Sequence, residues 1–420
     1  MEPVIHRDPA APELPRLRWR MLALGLAAQA SSAALLQGLP ALGPELIDRY
    51  RLSLGGLGLV LSATAVGMVL TLLGWGFLAD RVGERPVIAI GMVIGAVGLL
   101  VALAGSGRGV LMAGLLLSGL GSSSVNAASG RVVLNWFPPS ERGLAMGLRQ
   151  AGVPLGGAAG AAALPAVALL GGVPAALLCM AGVYLLAAAS AALWLRDAPA
   201  SGSVALSTSG DRDRERDRAR DEPERAPGSP PGSPLRDRRV WRLAAVSGLL
   251  VLLQYSVVAY LVVFLHQQRG MSLRGAAGTL VVLQLLGAGT RIGFGRWSDR
   301  RGDRIGLLRL IAVGAVGAFL LLGAVTYAPL PVLLPVLLLA GLLGLSWNGL
   351  AFTAAGEVAG VARSGTAIGL QNTMVTAGAA LAPPIFAALV SATSWPAAFA
   401  LLSAAAAGAA AVLLNGRLQR

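Results

Sequence analysis

The sequence predicts an all-α polytopic membrane protein whose twelve transmembrane helices form two pseudo-symmetric bundles of six. Three observations predict this fold class. The 420 residues are 55% hydrophobic with a mean hydropathy of +0.70, which is too apolar for a soluble globular protein. Apolar runs of about 20 residues recur along the chain, and each is long enough to cross a bilayer as a helix. One long charged segment divides these runs six and six.

Each predicted span corresponds to one apolar run. The runs are rich in Ala, Leu, Gly and Val without alternation of apolar and polar residues, which excludes a transmembrane β-barrel. Helices are then required, because in hydrocarbon the backbone must satisfy its own hydrogen bonds. No Ala-x-Ala cleavage site separates the first run from the next span, so the first run is interpreted as a span and not as a signal peptide. The predicted spans are residues 21–43, 54–78, 86–104, 109–135, 144–169, 174–194, 241–265, 274–297, 306–326, 330–356, 365–389 and 395–414.

The charged segment sets the predicted domain boundaries. It contains DRDRERDRAR followed by PGSPPGSP, a composition typical of a flexible, solvated linker. The prediction is a cytoplasmic tail (1–20), a first bundle (21–195), a cytoplasmic linker (196–240), a second bundle (241–414) and a second cytoplasmic tail (415–420).

The basic residues predict the orientation of the chain in the membrane. All 34 cationic side chains are Arg, and the formal net charge is +14. They concentrate on alternate loops and on both tails, and such an asymmetry places those segments in the cytoplasm. The sequence therefore predicts a multi-pass protein of the cytoplasmic (inner) membrane with both termini inside. The excess of basic residues is explained by this orientation and does not indicate a nucleic-acid partner.

Several function classes are excluded by what the sequence lacks. The one cysteine, Cys179, lies inside a predicted span, so no disulfide framework is expected. The two histidines, His6 and His266, are isolated in the sequence, and no metal site or cofactor is predicted. We find no nucleophile constellation or phosphate loop, which argues against an enzyme, and no folded soluble domain of the kind that a sensor carries. A monomer is expected.

A charged turn occurs twice in the chain, at GFLADRVGER (76–85) and GRWSDRRGDR (295–304). A glycine here can supply the positive φ that a tight reversal needs, and we expect this of Gly83 and Gly302. We expect Gly76 and Gly295 to allow close approach of a neighbouring helix. The residues that recur 219 positions apart are Gly76, Asp80, Arg81, Gly83 and Arg85, matched by Gly295, Asp299, Arg300, Gly302 and Arg304.

The carboxylates of these turns are expected to link the two halves. Asp80 and Asp299 are each expected to accept hydrogen bonds from a helix N-terminus of the opposite half, where the macrodipole favours negative charge. The expected N-termini are Ser364–Gly365 for Asp80 and Ser140–Glu141 for Asp299. Further similarity at an offset of 222, between 143–150 and 365–372 and between Asn126 and Asn348, indicates a parallel repeat of the kind found in transporters.

The G-x-x-x-D-R-x-G-x-R pattern after the second and eighth spans resembles the signature loop of the major facilitator superfamily. The resemblance covers all of the chain except 1–20 and the linker, and it implies alternating-access transport with these loops as a cytoplasmic gate. Glu84 and Asp303 stand where the family usually has a basic residue, so Arg85 and Arg304 are expected to make the second cationic contact. The expected gate residues are Gly76, Asp80, Arg81, Gly83, Arg85, Glu141, Arg142, Gly295, Asp299, Arg300, Gly302, Arg304 and Glu357.

The arginines that lie deepest within the predicted spans are Arg131, Arg149 and Arg291. A charge in the bilayer costs several kcal/mol unless it pairs or faces water, so each is a candidate substrate contact. Two alternatives stay open, since Arg131 and Arg149 are long enough to snorkel, and Arg149 shares a stripe with glycines that could brace a packing face. An excess of buried positive charge favours an anionic substrate. Residues 131–157 also resemble segments of family members that carry organic acids and small anions, including cyanate-permease-like proteins.

Uncharged polar residues inside the spans form a second group of candidates, each about equally suited to an interhelical hydrogen bond or to substrate contact. They are Gln29, Asn126, Gln150, Gln254, Tyr255, Gln284, Trp347, Asn348, Gln371 and Asn372. No Asp or Glu lies near the predicted midplane of the first, fourth or fifth span, so the sequence offers no obvious carrier for proton coupling and leaves the coupling ion open. Glu357 is expected to pair with Arg300 or Arg304.

These observations predict a secondary active transporter that moves a small solute, an organic or small inorganic anion, across the cytoplasmic membrane by alternating access. The alternative is a drug or metabolite exporter of the same fold, in which aromatic and amide side chains would matter more than the arginines. The expected partners are a small-molecule substrate and the lipid bilayer.

Overall fold

A computed structural model describes residues 14–137, 142–196, 237–359 and 364–415, and these residues are almost entirely helical. The first half comprises α1 (Leu14–Gly38), a 3₁₀ turn (Leu39–Leu42), α2 (Gly43–Tyr50), α3 (Leu54–Val82), α4 (Glu84–Leu103), α5 (Arg108–Trp136) and α6 (Arg142–Trp194). The second half comprises α7 (Arg238–Val263), a π turn (Phe264–Gln268), α8 (Leu273–Arg301), α9 (Arg304–Ala324), α10 (Leu330–Ser346), α11 (Asn348–Ala359), α12 (Ser364–Ala392) and α13 (Trp395–Leu414). Most of the predicted linker lies outside the described residues.

Eleven helical segments within the described residues are long and apolar enough to cross a membrane. One of them, Ala145–Trp194, has 50 residues and would be about 75 Å long if straight, more than twice the thickness of a hydrocarbon core. The helix breaks at Gly171 and Gly172, where Gly172 has a φ of +68°. α6 therefore contains two crossings, and the predicted all-helical fold is confirmed.

The helix ends follow from local sequence. Ser53, Ser272 and Ser394 each accept a bond from a backbone N–H in the first turn of α3, α8 and α13, which satisfies one of the free donors at a helix start. At the other ends, Gly83 (φ +90°) follows α3 and Gly302 (φ +67°) follows α8. The positive φ predicted for both glycines is confirmed.

Small residues allow α6 to pack directly on α1. A Cβ at Gly156 would collide with the carbonyl oxygen of Ala30, and one at Gly160 would collide with that of Ala34. Gly38 on α1 lies equally close to the backbone of Gly160, at 2.6 Å from its ideal Cβ to the Cα. The glycine stripe beyond Arg149 is thus a packing face between the first and fifth spans.

The structure corrects two expectations. No described atom lies within 4 Å of an ideal Cβ at Gly76 or Gly295, so the close helix approach expected there is wrong. Both glycines lie near the ends of their helices, and each is half-buried. The first span is also longer than predicted, because α2 (Gly43–Tyr50) continues it to Tyr50.

The two halves pack through α3 against α12 and through α6 against α8. We name the ends of the bundle by the linker: the linker end carries Trp194 and Arg238, and the opposite end carries α2 and the π turn. At the opposite end the single hydroxyl hydrogen of Tyr260, on α7, is shared between Leu54 O in the first half (3.2 Å) and Pro383 O in the second (3.0 Å). This hydroxyl bridges the halves.

Candidate functional site

Arg149 lies at the start of the glycine stripe on α6, with only 8% of its surface exposed. Its Nε donates to Ser129 Oγ (2.9 Å), and its Nη2 donates to Asn126 O (3.3 Å) and Gln29 Oε1 (3.5 Å). Its Nη1 donates to Gln150 Oε1 at 3.4 Å. Each of these acceptors is uncharged, so no carboxylate among the described residues compensates the guanidinium.

Gln29 and Asn126 lie next to the Arg149 guanidinium and accept hydrogen bonds from it. Gln29 Nε2 donates to Asn126 Oδ1 at 2.7 Å, which joins α1 to α5. This bond orients the Gln29 amide so that its oxygen faces Arg149. The amide therefore serves as an interhelical bond and as an arginine partner at the same time.

Arg291 on α8 is the corresponding cation of the second half, and it too is 8% exposed. Its Nε donates to Leu345 O (3.1 Å) and its Nη1 to Gln150 O (3.2 Å). Both acceptors are backbone carbonyls, which are neutral. The bond to Gln150 crosses from the second half to the first, directly beside Arg149.

A second set of hydrogen bonds joins the two halves at Gln284, which lies two helical turns before Arg291 on α8. Gln284 Nε2 donates to Gln37 Oε1 at 2.8 Å, and Gln37 Nε2 donates to Tyr255 Oη at 3.4 Å. An ideal Cβ at Gly157 would lie 2.7 Å from Gln284 Nε2, so α6 also borders this amide. Gln284 Oε1 is buried without a described hydrogen-bond partner, which leaves one acceptor available.

The remaining candidates lie in the second half. Asn348 Nδ2 donates to Gln254 Oε1 (3.0 Å), and Gln371 Nε2 donates to Ser247 Oγ (2.6 Å). These bonds join α11 and α12 to α7. Trp347 is fully buried in the core of the second half and donates Nε1 to Gly344 O (2.8 Å), whereas Asn372 is half-buried.

Arg131 is helical, on α5, but its side chain lies outside what the structure describes. Its predicted contact with substrate therefore stays a prediction. The arrangement as a whole places two cations in a shell of amides, hydroxyls and carbonyls where the two halves meet, and no carboxylate of the described residues pairs with either cation. Such a shell can bind an anion at the cations and hydrogen-bonding groups around them.

Comparisons with known proteins agree with this arrangement. Residues 21–383 match the family model of the Major Facilitator Superfamily. The chain belongs to this superfamily. Two uncharacterized MFS-type transporters, from two strains of Mycobacterium tuberculosis, are each 36% identical to it over 386 residues, covering 91% of this chain and 82% of theirs. A hexuronate transporter of Bacillus subtilis is 32% identical over 120 residues, 27% of each chain.

Solved structures show the same fold. A bacterial homolog of the human lysosomal transporter Spinster, in an inward-facing and unoccupied conformation, superposes with a TM-score of 0.68 at 15% identity, covering 95% of both chains. This major facilitator is thus a multi-pass membrane transporter and not an enzyme, as predicted. The finer resemblance to cyanate-permease-like members finds no support among these relatives.

The charged turn of the second half forms an ion-pair network in this major facilitator. Arg304 pairs with Asp299 (2.8 Å) and with Glu357 (2.8 Å), so the expected pairing of Glu357 with Arg304 is present. The Asp299 side chain is 63% exposed, and its described partner belongs to its own half. The helix N-terminus at Ser140–Glu141, which we expected to donate backbone N–H groups to Asp299, lies outside the described residues. The cross-half contact of Asp299 therefore stays a prediction.

The first charged turn differs from the second in backbone conformation, since ψ is 171° at Gly83 and 11° at Gly302. Asp80, Arg81 and Arg85 are exposed and Glu84 is buried at 5% exposure, as the first residue of α4. Arg300 is exposed at the matching position of the second turn. The side chains of Ser364 and Arg142 lie outside what the structure describes, so the contact of Asp80 with Ser364–Gly365 and any role of Arg142 stay predictions.

Sequence reasoning missed Ser129, Gln37 and Tyr260. Ser129 accepts a hydrogen bond from Arg149. Because Ser129 lies one helical turn from the candidate Asn126 on α5, the sequence could have indicated it as a further site residue. Gln37 is a second amide in the first span, eight residues after Gln29, and it could have been selected by the same criterion. Tyr260 gave no indication, because a tyrosine near a span end is common at membrane interfaces.

Proposed function

We propose that this protein is a secondary transporter that moves a small organic or inorganic anion by alternating access. The observation that carries the proposal is the pair Arg149 and Arg291, both buried and both bonded to neutral groups. A buried cation without a counter-charge loses several kcal/mol of hydration, and an anionic ligand restores that loss. The two cations belong to different halves, so an anion bound between them would couple its binding to the relative position of the halves.

The groups around the arginines favour an anion that also carries hydroxyl groups. Amide and hydroxyl side chains of Gln29, Asn126 and Ser129 lie beside Arg149, and the amides of Gln37 and Gln284 lie two helical turns from Arg291, about 10 Å along α8. Carboxylates of sugar-acid size fit that span. The partial similarity to a protein named as a hexuronate transporter supports the same class.

The arginine distribution supports an orientation with the linker end in the cytoplasm of the cell. Arg81, Arg85, Arg300, Arg301 and Arg304 all lie in turns at that end. Positive residues in short loops are retained on the cytoplasmic side. In this orientation Tyr260 closes the extracellular end, and the charged turns form the cytoplasmic gate that the family resemblance implies.

The test is a thermal-shift screen of the purified full-length protein against hexuronates, aldonates, simple carboxylates, cyanate, neutral sugars and cationic drugs. A ligand that binds the folded state raises the apparent melting temperature. We expect a rise with hydroxylated carboxylates, and we expect Arg149→Gln and Arg291→Gln each to reduce that rise at the same ligand concentration while the unliganded melting temperature stays near that of the wild type.

Arg301→Gln is the matched control, because Arg301 lies on the same helix as Arg291 but is exposed and stacks on Trp297, 4.7 Å from the ring centroid. This variant is expected to respond to ligand as the wild type does. Stabilisation by cationic drugs instead, unaffected by either buried arginine variant, would contradict the proposal and favour the exporter alternative.

A further inference from the structure

An amide at the contact between the two halves keeps one of its polar atoms unused. Gln284 on α8 is completely buried, and its Nε2 donates to Gln37 Oε1 on α1, in the other half, at 2.8 Å. Gln284 Oε1 is buried as well and has no hydrogen-bond partner among the described residues. Burying a polar atom without a partner costs free energy, so a ligand group that pairs with this atom would be bound favourably.

The neighbouring hydrogen bonds leave one atom of the Gln284 amide free in either orientation of that amide. Gln37 Nε2 donates to Tyr255 Oη at 3.4 Å, so one atom of the Gln37 amide faces Tyr255 and the other faces Gln284. If both amides are turned by 180°, Gln37 donates to Gln284, and the free atom of Gln284 is its nitrogen. A hydroxyl group donates to an oxygen and accepts from a nitrogen, so it matches the free atom in both orientations.

The adjoining helix α6 leaves room for this amide because it has a glycine there. An ideal Cβ at Gly157 would lie 2.7 Å from Gln284 Nε2 and 3.0 Å from both Gln284 Cδ and Gln37 Cβ. Even one methyl group at this position would therefore press on the two amides and displace them. The position of the Gln284 side chain thus depends on the absence of a side chain at residue 157.

Gln284 and the buried cation Arg291 lie on the same face of α8. They are seven residues apart, which is two helical turns or about 10 Å along the axis. The same spacing occurs on α6, where Gln150 O accepts from Arg291 Nη1 at 3.2 Å and Gly157, seven residues later, borders Gln284. Arg291 Nε donates to Leu345 O, but Nη2 donates to no described residue. An unused donor of a cation and an unused amide atom therefore lie along one helix face.

We propose that Gln284 determines the specificity of the transporter by binding a hydroxyl group of the anion whose acidic group is bound at Arg291. This inference rests on the proposed function, because it requires an anion at the arginine. An acid that lacks the hydroxyl would leave the amide atom unpaired, although the arginine still binds its acidic group. Because Gln37 belongs to the first half, the Gln284 amide can exchange this partner for substrate when the halves move apart. The selected class is a polyhydroxylated carboxylate of sugar-acid size.

The experiment compares carboxylates with and without hydroxyl groups. Isothermal titration of the full-length protein in detergent measures the dissociation constants of gluconate, galacturonate and hexanoate, and selectivity is the ratio of the hexanoate constant to that of either sugar acid. We expect the wild type to bind at least one sugar acid more tightly than hexanoate by about tenfold or more. In Gln284→Met we expect this selectivity to fall about tenfold, because sugar-acid binding weakens and hexanoate binding does not.

Three further variants separate the contact with substrate from a structural role. Gly157→Ala adds a methyl group that displaces the amide, so it is expected to lower the selectivity as Gln284→Met does. Gln37→Met removes the same bond between the halves but keeps the Gln284 amide, so it is expected to change all affinities together. Thr279→Val is the matched control on α8, because its hydroxyl donates to Gly275 O of the same helix at 3.0 Å. This variant is expected to keep the wild-type selectivity.

The proposed function and the role of Gln284 fail in different ways. If Arg291→Gln weakens the binding of sugar acids and hexanoate while Gln284→Met leaves the selectivity unchanged, anion transport stands and the role of Gln284 is overturned. A selectivity that falls equally in Gln37→Met and Gln284→Met would also overturn it, since loss of the bond between the halves would then suffice. If none of the carboxylates binds to the wild type, or Arg291→Gln has no effect, the proposed function fails and this inference fails with it.

Discussion

Arg149 and Arg291 donate to the same residue from opposite halves of the protein. Arg149 donates to the side-chain oxygen of Gln150 at 3.4 Å, and Arg291 donates to its backbone oxygen at 3.2 Å. The two guanidinium groups therefore converge on one residue, although the two arginines are 142 positions apart in the sequence. In our proposal a ligand contacts both groups, so its binding depends on both halves, as alternating access requires.

The first prediction concerns the coupling between these arginines. Because both bind the same anion in our proposal, the loss of either one is expected to weaken binding by about ten- to a hundredfold, corresponding to about 1.5–3 kcal/mol for a charged hydrogen bond. The double variant Arg149→Gln/Arg291→Gln is expected to lose less than the sum of the two single losses. Isothermal titration with the ligand found in the stability screen measures the three affinities. Strictly additive losses would show that the arginines act at separate sites.

The second prediction concerns Tyr260. Its hydroxyl bridges Leu54 O and Pro383 O, while its ring packs on Phe386, with 5.5 Å between the ring centroids. Tyr260→Phe keeps the ring and removes the bridge, so it is expected to favour separation of the halves by about 1 kcal/mol, or about fivefold in population. Distance measurements between spin labels at the opposite end test this. A closed population equal to that of the wild type would contradict it.

The fold was predictable from sequence because membrane insertion imposes a strong constraint. A run of about 20 apolar residues has to become a helix in hydrocarbon, and the charged turns at 76–85 and 295–304 interrupt those runs at matching places. The positive φ values of Gly83 and Gly302 followed from the same turns. The extension of the first span into α2 was missed, because Pro44, Glu45 and Asp48 lower its apolar character although α2 continues the span.

The residues of the site could be predicted from the sequence by their type, but their hydrogen-bond partners could not. Charged and amide side chains in apolar runs are few, so Arg149, Arg291 and Gln284 could be selected individually. Their partners could not, because Gln37 and Gln284 are 247 positions apart and a single sequence carries no information on which helices touch. Gly76 and Gly295 illustrate the reverse error, since a glycine in a helix permits close approach without requiring it.

The third prediction concerns the α1–α6 packing face. Gly160 has no room for a side chain, whereas no described atom lies within 4 Å of an ideal Cβ at Gly182, also on α6. Gly160→Leu is expected to destabilise the protein by about 1–3 kcal/mol or more, because the added side chain must displace the backbone of α1. Gly182→Leu is the matched control and is expected to leave stability equal or slightly raised. Denaturant unfolding in detergent compares the two, and equal losses would contradict the assignment of this face.

The fourth prediction separates the four glycines of the charged turns by conformation. Gly83 and Gly302 have φ values of +90° and +67°, which side chains of L-residues rarely adopt. Gly83→Ala and Gly302→Ala are each expected to destabilise the protein by about 1–2 kcal/mol, because the added Cβ meets the backbone in these regions. Gly76 and Gly295 lie inside α3 and α8 with open space around them.

Alanine at Gly76 or Gly295 is therefore expected to leave stability unchanged or to raise it by about 0.5–1 kcal/mol, since alanine loses less conformational entropy than glycine in a helix. Thermal unfolding of the four single variants in the same detergent makes the comparison. We expect alanine to lower the stability at the two turn positions and to leave it unchanged or raise it at the two helix positions. A loss of stability at Gly76 or Gly295 as large as that at Gly83 or Gly302 would mean that these glycines contact another helix in a state of the transporter that differs from this one.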